Sequence, residues 1–182
     1  MKQRSALFSP LAGAYYFFYF AVVGIYIIFM PKVMLDLGYT PLEVGIIFAA
    51  APFMRFLLPF VFRHYVSLTA RVYQLSLLCS FVGSLLFIAT INDFWIYLAA
   101  NLLFGAAMGI SLPYVETIVL ASLSRHHYGK VRLWGSIGFV GIALWLGKVL
   151  STPYEALYYL SVISFLTLLF GAVLTKYDTV SH

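Results

Sequence analysis

Apolar residues fall along this chain in six long blocks separated by short polar breaks: Ser9–Phe29, Val44–Phe62, Val72–Ile91, Phe94–Leu123, Val131–Leu150 and Tyr154–Leu174. Each block is close to the roughly 20 residues that an α-helix needs to cross a bilayer. None alternates apolar and polar positions as a barrel strand would, so the pattern predicts six membrane-spanning helices in an all-α membrane protein. The breaks are Met30–Glu43, Arg63–Arg71, Asn92–Asp93, Ser124–Lys130 and Ser151–Pro153. They are short, which makes successive helices antiparallel neighbours.

Composition agrees. Hydrophobic residues make up 63% of the 182 positions, charged residues 9%, and the mean hydropathy is +0.98. That excludes a soluble domain, whose surface needs far more charge. The formal net charge of +5 therefore does not indicate a nucleic-acid partner. Its placement carries the information instead. With a cytoplasmic N-terminus, that side holds Lys2, Arg4, Arg63, Arg71, Arg125, Lys130, Arg132 and Lys176, against Lys32 and Lys148 opposite. This bias predicts a multi-pass protein of the cell inner membrane with both termini cytoplasmic. The opening Met-Lys-Gln-Arg resembles a signal peptide, but the apolar run after it is too long and lacks a small-residue cleavage site. Cys79 stands alone in an apolar run and reads as a packing residue, with no disulfide or metal framework and no cofactor expected.

Polar residues inside the spans are the candidates for chemistry, because an ionisable group in lipid needs a partner or a water-filled cavity. Glu116 lies near the end of the fourth span, and Arg132 stands at the mouth of the fifth after a basic loop. A tight hairpin brings them together. Gly135, Ser136 and Phe139 follow Arg132 on one helical face, with the small residues leaving space and Phe139 a flat wall. Asn101, Gly105, Gly109, Leu112 and Glu116 form a stripe along the fourth span, which Pro113 is expected to bend. Arg55 sits in the middle third of the second span, too deep to reach the interface comfortably, and suits a carboxylate-bearing solute. Tyr15, Tyr19 and Tyr26 share a face of the first span, read chiefly as aromatic packing, with Tyr19 kept as a candidate contact.

Enzyme chemistry finds no support. Ser136 follows Gly135 as in a membrane serine protease, but His64, His126, His127 and His182 lie in loops or the tail. No HEXXH pattern is present.

The run HYGKVRLWGSIGF resembles the start of the fifth helix in major facilitator superfamily transporters of the phenylpropionate permease and oligosaccharide:proton symporter branches. GYTPLEVGIIFAAAPFMRFL resembles their second helix, and SLPYVETI the end of their fourth. The resemblance implies an N-terminal half of such a transporter: one six-helix bundle made of two inverted three-helix repeats. It implies a C-terminal six-helix half in the same or a separate chain. Glu116 falls on the fourth-helix acid that binds sugar in the lactose permease branch, and Arg132 on its fifth-helix arginine partner. Phe139 falls where that branch has a tryptophan stacked on the sugar ring, so an aromatic face remains without the indole. The second-to-third-helix loop, FRHYVSLTARVY, departs from the superfamily's usual Gly-Asp-Arg/Lys pattern. The function implied is secondary transport of a small organic solute, an aromatic carboxylate for instance, with symport of a proton. A sugar or nucleoside:proton symporter half and a non-transporting assembly subunit are the competing readings.

Overall fold

The computed structural model describes residues 2–178, and side-chain surroundings from residue 7 onward. Lys2 and Arg4, counted in the charge bias, have no described side-chain surroundings, and His182 lies outside the described residues. The described chain is helical nearly throughout. The helices are α1 (Lys2–Ile28), α2 (Met30–Asp36), α3 (Pro41–His64), α4 (Ala70–Thr90), α5 (Phe94–Ser122), α6 (Arg125–Val149) and α7 (Ala156–Leu174). Short 3-10 turns at Pro153–Glu155 and Thr175–Tyr177 flank α7.

The polar breaks are shorter than the hydrophobic pattern suggests, because hydrogen-bond ladders continue past the apolar blocks. At Phe29 the N–H still reaches the Ile25 carbonyl at 3.0 Å, and its own carbonyl accepts from Val33 at 3.1 Å. The helical run therefore carries on through Lys32 to Asp36. It ends at Gly38, whose φ of 93° is left-handed backbone that suits glycine. Thr40 and Glu43 then close a capping box, starting α3 three residues earlier than the apolar run. Ser124 likewise starts α6 at once, so the expected loop Ser124–Lys130 is the first turns of that helix.

Five stretches are long and apolar enough to cross a membrane: Leu7–Asp36, Pro41–His64, Ala70–Thr90, Phe94–Ser122 and Pro153–Tyr177. α6 is not among them, so five of the six expected spans meet that measure of length and apolarity. Arg132, Lys148 and the glycines at 135, 138, 141 and 147 dilute its hydropathy. It nevertheless packs along the full bundle. Gly13 meets Trp134, Phe17 meets Gly138 and Gly24 meets Ile142, so α1 and α6 run side by side in the same direction.

Other contacts fix the remaining directions. Ala51 meets Gly105 and Leu58 meets Gly109, making α3 and α5 parallel. Tyr73 stacks on Tyr114 at 4.2 Å while Gly83 meets Phe104, making α4 and α5 antiparallel. Leu77 meets Gly171 and the Ser161 hydroxyl donates to the Ser84 carbonyl at 3.2 Å, making α4 and α7 antiparallel. Phe18 stacks on Phe170 and Phe8 lies against Tyr177, making α1 and α7 antiparallel.

The core is rich in phenols. Tyr15, Tyr16, Tyr19, Tyr73, Tyr97 and Tyr114 are all fully buried. Lipid tails are as apolar as leucine, so helix association here rests on close approach and interhelical hydrogen bonds. Gly138 shows how close. A Cβ there would lie 2.1 Å from the Phe17 carbonyl oxygen. Prolines at 10, 52, 59 and 113 sit inside helices, and α5 continues as one helix through Pro113. The Thr117 hydroxyl donates to the Pro113 carbonyl at 2.9 Å, an i to i−4 bond within the same helix.

Candidate solute-binding site

α5 carries Asn101 and Glu116, α3 carries Arg55 and α6 carries Arg132, and α1 lies between α5 and α6. The stripe read along α5 divides by depth. Asn101 is fully buried: its Oδ1 accepts from the Tyr26 hydroxyl at 2.6 Å, and its Nδ2 donates to the Tyr97 carbonyl at 2.8 Å. It lines neither chamber described below and acts on the cleft only through Tyr26. Gly105 faces the Ala51 backbone, where a Cβ would lie 2.7 Å from Ala51 Cα. Gly109 faces the side chains of α3 instead, with Arg55 Cγ 3.2 Å and Leu58 Cδ1 2.8 Å from the position its Cβ would take. One stripe thus supplies a buried polar anchor, a helix crossing and a cavity wall.

Arg55 stands at the boundary of two chambers. One, of about 410 Å³, is lined by Tyr19, Arg55, Pro59, Phe62, Leu112, Pro113 and neighbours from α3 and α5. The other, of about 200 Å³, is lined by Tyr26, Phe48, Phe104, Met108 and again Arg55. The second is aromatic, with the Tyr26 ring 4.9 Å from Phe48 and 5.6 Å from Phe104. Of these lining residues, Pro59, Phe62, Phe48, Phe104 and Met108 were not singled out by sequence. Their signal was only apolarity, which every span shares.

The fourth- and fifth-span charges meet as expected. Arg132 Nε is 3.2 Å from Glu116 Oε1, with the two side chains 37% and 29% exposed. Arg132 is further held by aromatic faces of α1. Its Cζ lies 4.7 Å from the Phe20 centroid and 5.4 Å from that of Tyr16. α5 and α6 barely touch each other, so α1 supplies the surface on which this pair is set. Tyr19 lines the first chamber beside Arg55 and lies within electrostatic reach of Arg55, Glu116 and Arg132. Its hydroxyl donates to the Met108 carbonyl at 2.8 Å, which fixes the ring.

The face below Arg132 differs from the expectation. Gly135 is buried against the Phe20 ring, 2.6 Å from where a Cβ would sit, so no open space is left there. Ser136 is exposed, and Phe139 is partly buried with its ring edge and carbonyl against Gly24. Phe139 lines neither chamber. The aromatic wall beside Arg55 is instead built from Tyr26, Phe48 and Phe104. No group of three or more His, Cys, Asp or Glu placed to hold a metal occurs among the described residues.

Comparisons with curated proteins and with solved structures each return no match. The model of the MFS_1 like family matches residues 11–181. The match covers nearly all of a chain whose helices alternate in direction around a charged cleft, and the chain therefore belongs to the MFS_1 like family, within the major facilitator superfamily of membrane transporters.

Proposed function

We propose that this chain is a six-helix half of a secondary transporter carrying a small organic anion, best an aromatic carboxylate, by proton symport. The observation that carries this reading is Arg55 between two chambers, with Tyr19 joining it to the Glu116–Arg132 pair. A guanidinium beside an aromatic chamber suits a carboxylate on a ring-bearing body. Phe139 stays a candidate second wall on the Arg132 side, and Asn101 serves by holding Tyr26.

The pair supplies a coupling logic. Glu116 occupies Arg132 in the empty site. Protonation of Glu116 frees Arg132 for an incoming anion, so proton and solute favour the same state and each raises the other's affinity. The solute and its proton then cross together.

The helix contacts support two inverted three-helix repeats. Exchanging α1, α3 and α4 for α5, α6 and α7 turns the α1–α6 contact into α3–α5 and the α4–α5 contact into α1–α7, and leaves α4–α7 on itself. Both exchanged contacts include a glycine set against facing backbone, Gly138 on Phe17 and Gly105 on Ala51. A cleft open to one side of such a bundle calls for a second six-helix half, in the same or a separate chain. The basic bias supports cytoplasmic termini in an inner membrane.

Binding of labelled 3-phenylpropionate to the purified chain tests the reading. Arg55→Lys should retain binding and Arg55→Gln should lose it, with both folded. Equal binding by both variants would remove Arg55, and the anion, from the proposal.

A further inference from the structure

A groove of about 300 Å³ lies between the middle of α1 and the first half of α6, away from the charged cleft. It is lined by Pro10, Gly13, Ala14, Phe17, Phe18 and Trp134. We propose that this groove binds one acyl chain of an anionic phospholipid whose headgroup is held by Lys130.

Position on the helix sets the groove's environment. Trp134 is two residues beyond Arg132, a rotation of about 200° around the helix, so one faces away from the cleft while the other faces into it. Trp134 is 51% exposed, although it covers Gly13, where a Cβ would lie 3.0 Å from its Cδ1. The missing side chain at Gly13 lets the indole lie down on α1 and wall the groove. Only apolar and aromatic groups line the rest, a surface suited to hydrocarbon.

Charge identifies the lipid. Lys130 precedes Trp134 by one helical turn, on the same face of α6, and is exposed. Among the described residues, Lys130 is the exposed lysine one turn before the indole, and His127, one turn earlier still, has its Nδ1 2.8 Å from the Ser124 hydroxyl. α1 and α6 both begin at this end of the bundle, so the lysine sits at headgroup level while the groove runs inward. Basic residues over interhelical grooves are how membrane proteins hold anionic headgroups. Zwitterionic lipid would fill the groove without using the lysine, and a second protein copy would bury the indole.

The test uses the full chain with Trp95→Phe and Trp145→Phe, leaving Trp134 as the sole indole. The protein is placed in phosphatidylcholine vesicles containing brominated phosphatidylglycerol or, at equal mole fraction, brominated phosphatidylcholine. Trp134 fluorescence should be quenched by both, with phosphatidylglycerol preferred by about fivefold, the effect expected of one basic residue at a membrane surface. Lys130→Gln should bring that preference to unity while quenching by phosphatidylcholine persists. Ala14→Phe, which fills the groove, should reduce quenching by both lipids. Equal quenching by both lipids in the parent overturns the proposal, as does a preference that survives Lys130→Gln. Absence of quenching by either lipid also overturns it, and points to a second copy on the groove.

Discussion

Gly138 and Gly141 lie three residues apart on α6, and the same substitution should move stability in opposite directions at the two. At Gly138 an added Cβ would lie 2.1 Å from Phe17 O, 2.8 Å from its carbonyl carbon and 2.9 Å from its Cα. Ordinary carbon contacts begin at about 3.5 Å. All three neighbours are backbone atoms, which cannot rotate aside, so α1 and α6 must part. A gap of about 1 Å forfeits a quarter to a half of the dispersion energy between facing atoms. Overpacking costs about 1–3 kcal/mol, and a backbone wall puts Gly138→Ala at the upper end of that range. The better helix propensity of alanine returns up to about 1 kcal/mol, leaving the variant about 2 kcal/mol less stable. At Gly141 nothing lies within 4 Å of the added carbon, so only the propensity gain remains. The two variants should differ by about 3 kcal/mol, which is a gap of about 6–12 °C in Tm for a chain of this size. Cys79 is the chain's single cysteine and is only partly exposed. Heating the detergent-solubilised variants with a dye that fluoresces on reaction with Cys79 therefore reads unfolding directly. Equal shifts for Gly138→Ala and Gly141→Ala would refute the close approach of α1 and α6.

Tyr26→Phe leaves the buried Asn101 Oδ1 without its donor and should cost about 1–3 kcal/mol in the same melting assay, with Asn101→Leu recovering part of the loss in that background. Arg132→Gln should abolish solute binding, whereas Glu116→Gln, which mimics the protonated acid and leaves Arg132 free, should retain it. Both side chains are about a third exposed, so their stability coupling in a double-mutant cycle should stay within about 1 kcal/mol. A larger coupling, with binding intact, would make the pair a structural brace. Solute binding should take up protons, measured calorimetrically in buffers of differing ionisation enthalpy, and Glu116→Gln should abolish the uptake. In a Cys79→Ala background, a cysteine at Asn92 should react with an impermeant thiol reagent from outside intact cells and one at Arg125 should not; the reverse would invert the bundle.

Much of the architecture was legible because it is written in long apolar blocks. What was lost came from local hydrogen bonding, which hydropathy does not register. Thr40 and Glu43 cap α3 from a polar stretch, and Ser124 starts α6 inside a run of charges. The Glu116–Arg132 pair was legible because charge in lipid needs a partner and the connection is short. Arg55 stood out because a charge in the middle of a span is costly in lipid, and it borders both chambers. The role of Phe139 was not, because its ring could be placed on a helical face but not against Gly24 of a helix more than a hundred residues earlier. Gly135 misled for a related reason: a glycine looks like space in a sequence, and the Phe20 ring fills it. The chambers themselves are made of Phe48, Phe104, Met108 and Pro59, ordinary lipid-compatible residues whose grouping depends on how α3 crosses α5.

The parallel contact of α1 with α6 also sets an order of events during synthesis. Phe17 and the Gly138 that rests on it are 138 − 17 = 121 residues apart. A ribosome adding about 5–20 residues per second makes the second roughly 6–24 s after the first. Through that interval α1 stands in the bilayer without its most extensive neighbour, held there by its own apolarity. α6 arrives late, at a surface already presenting Phe17, Phe20 and Tyr16. A segment that inserts against such a surface can carry an arginine, a lysine and a row of glycines that the first segment could not. The helix least suited to enter lipid alone is thus made after α1, and it enters beside the partner that accommodates it.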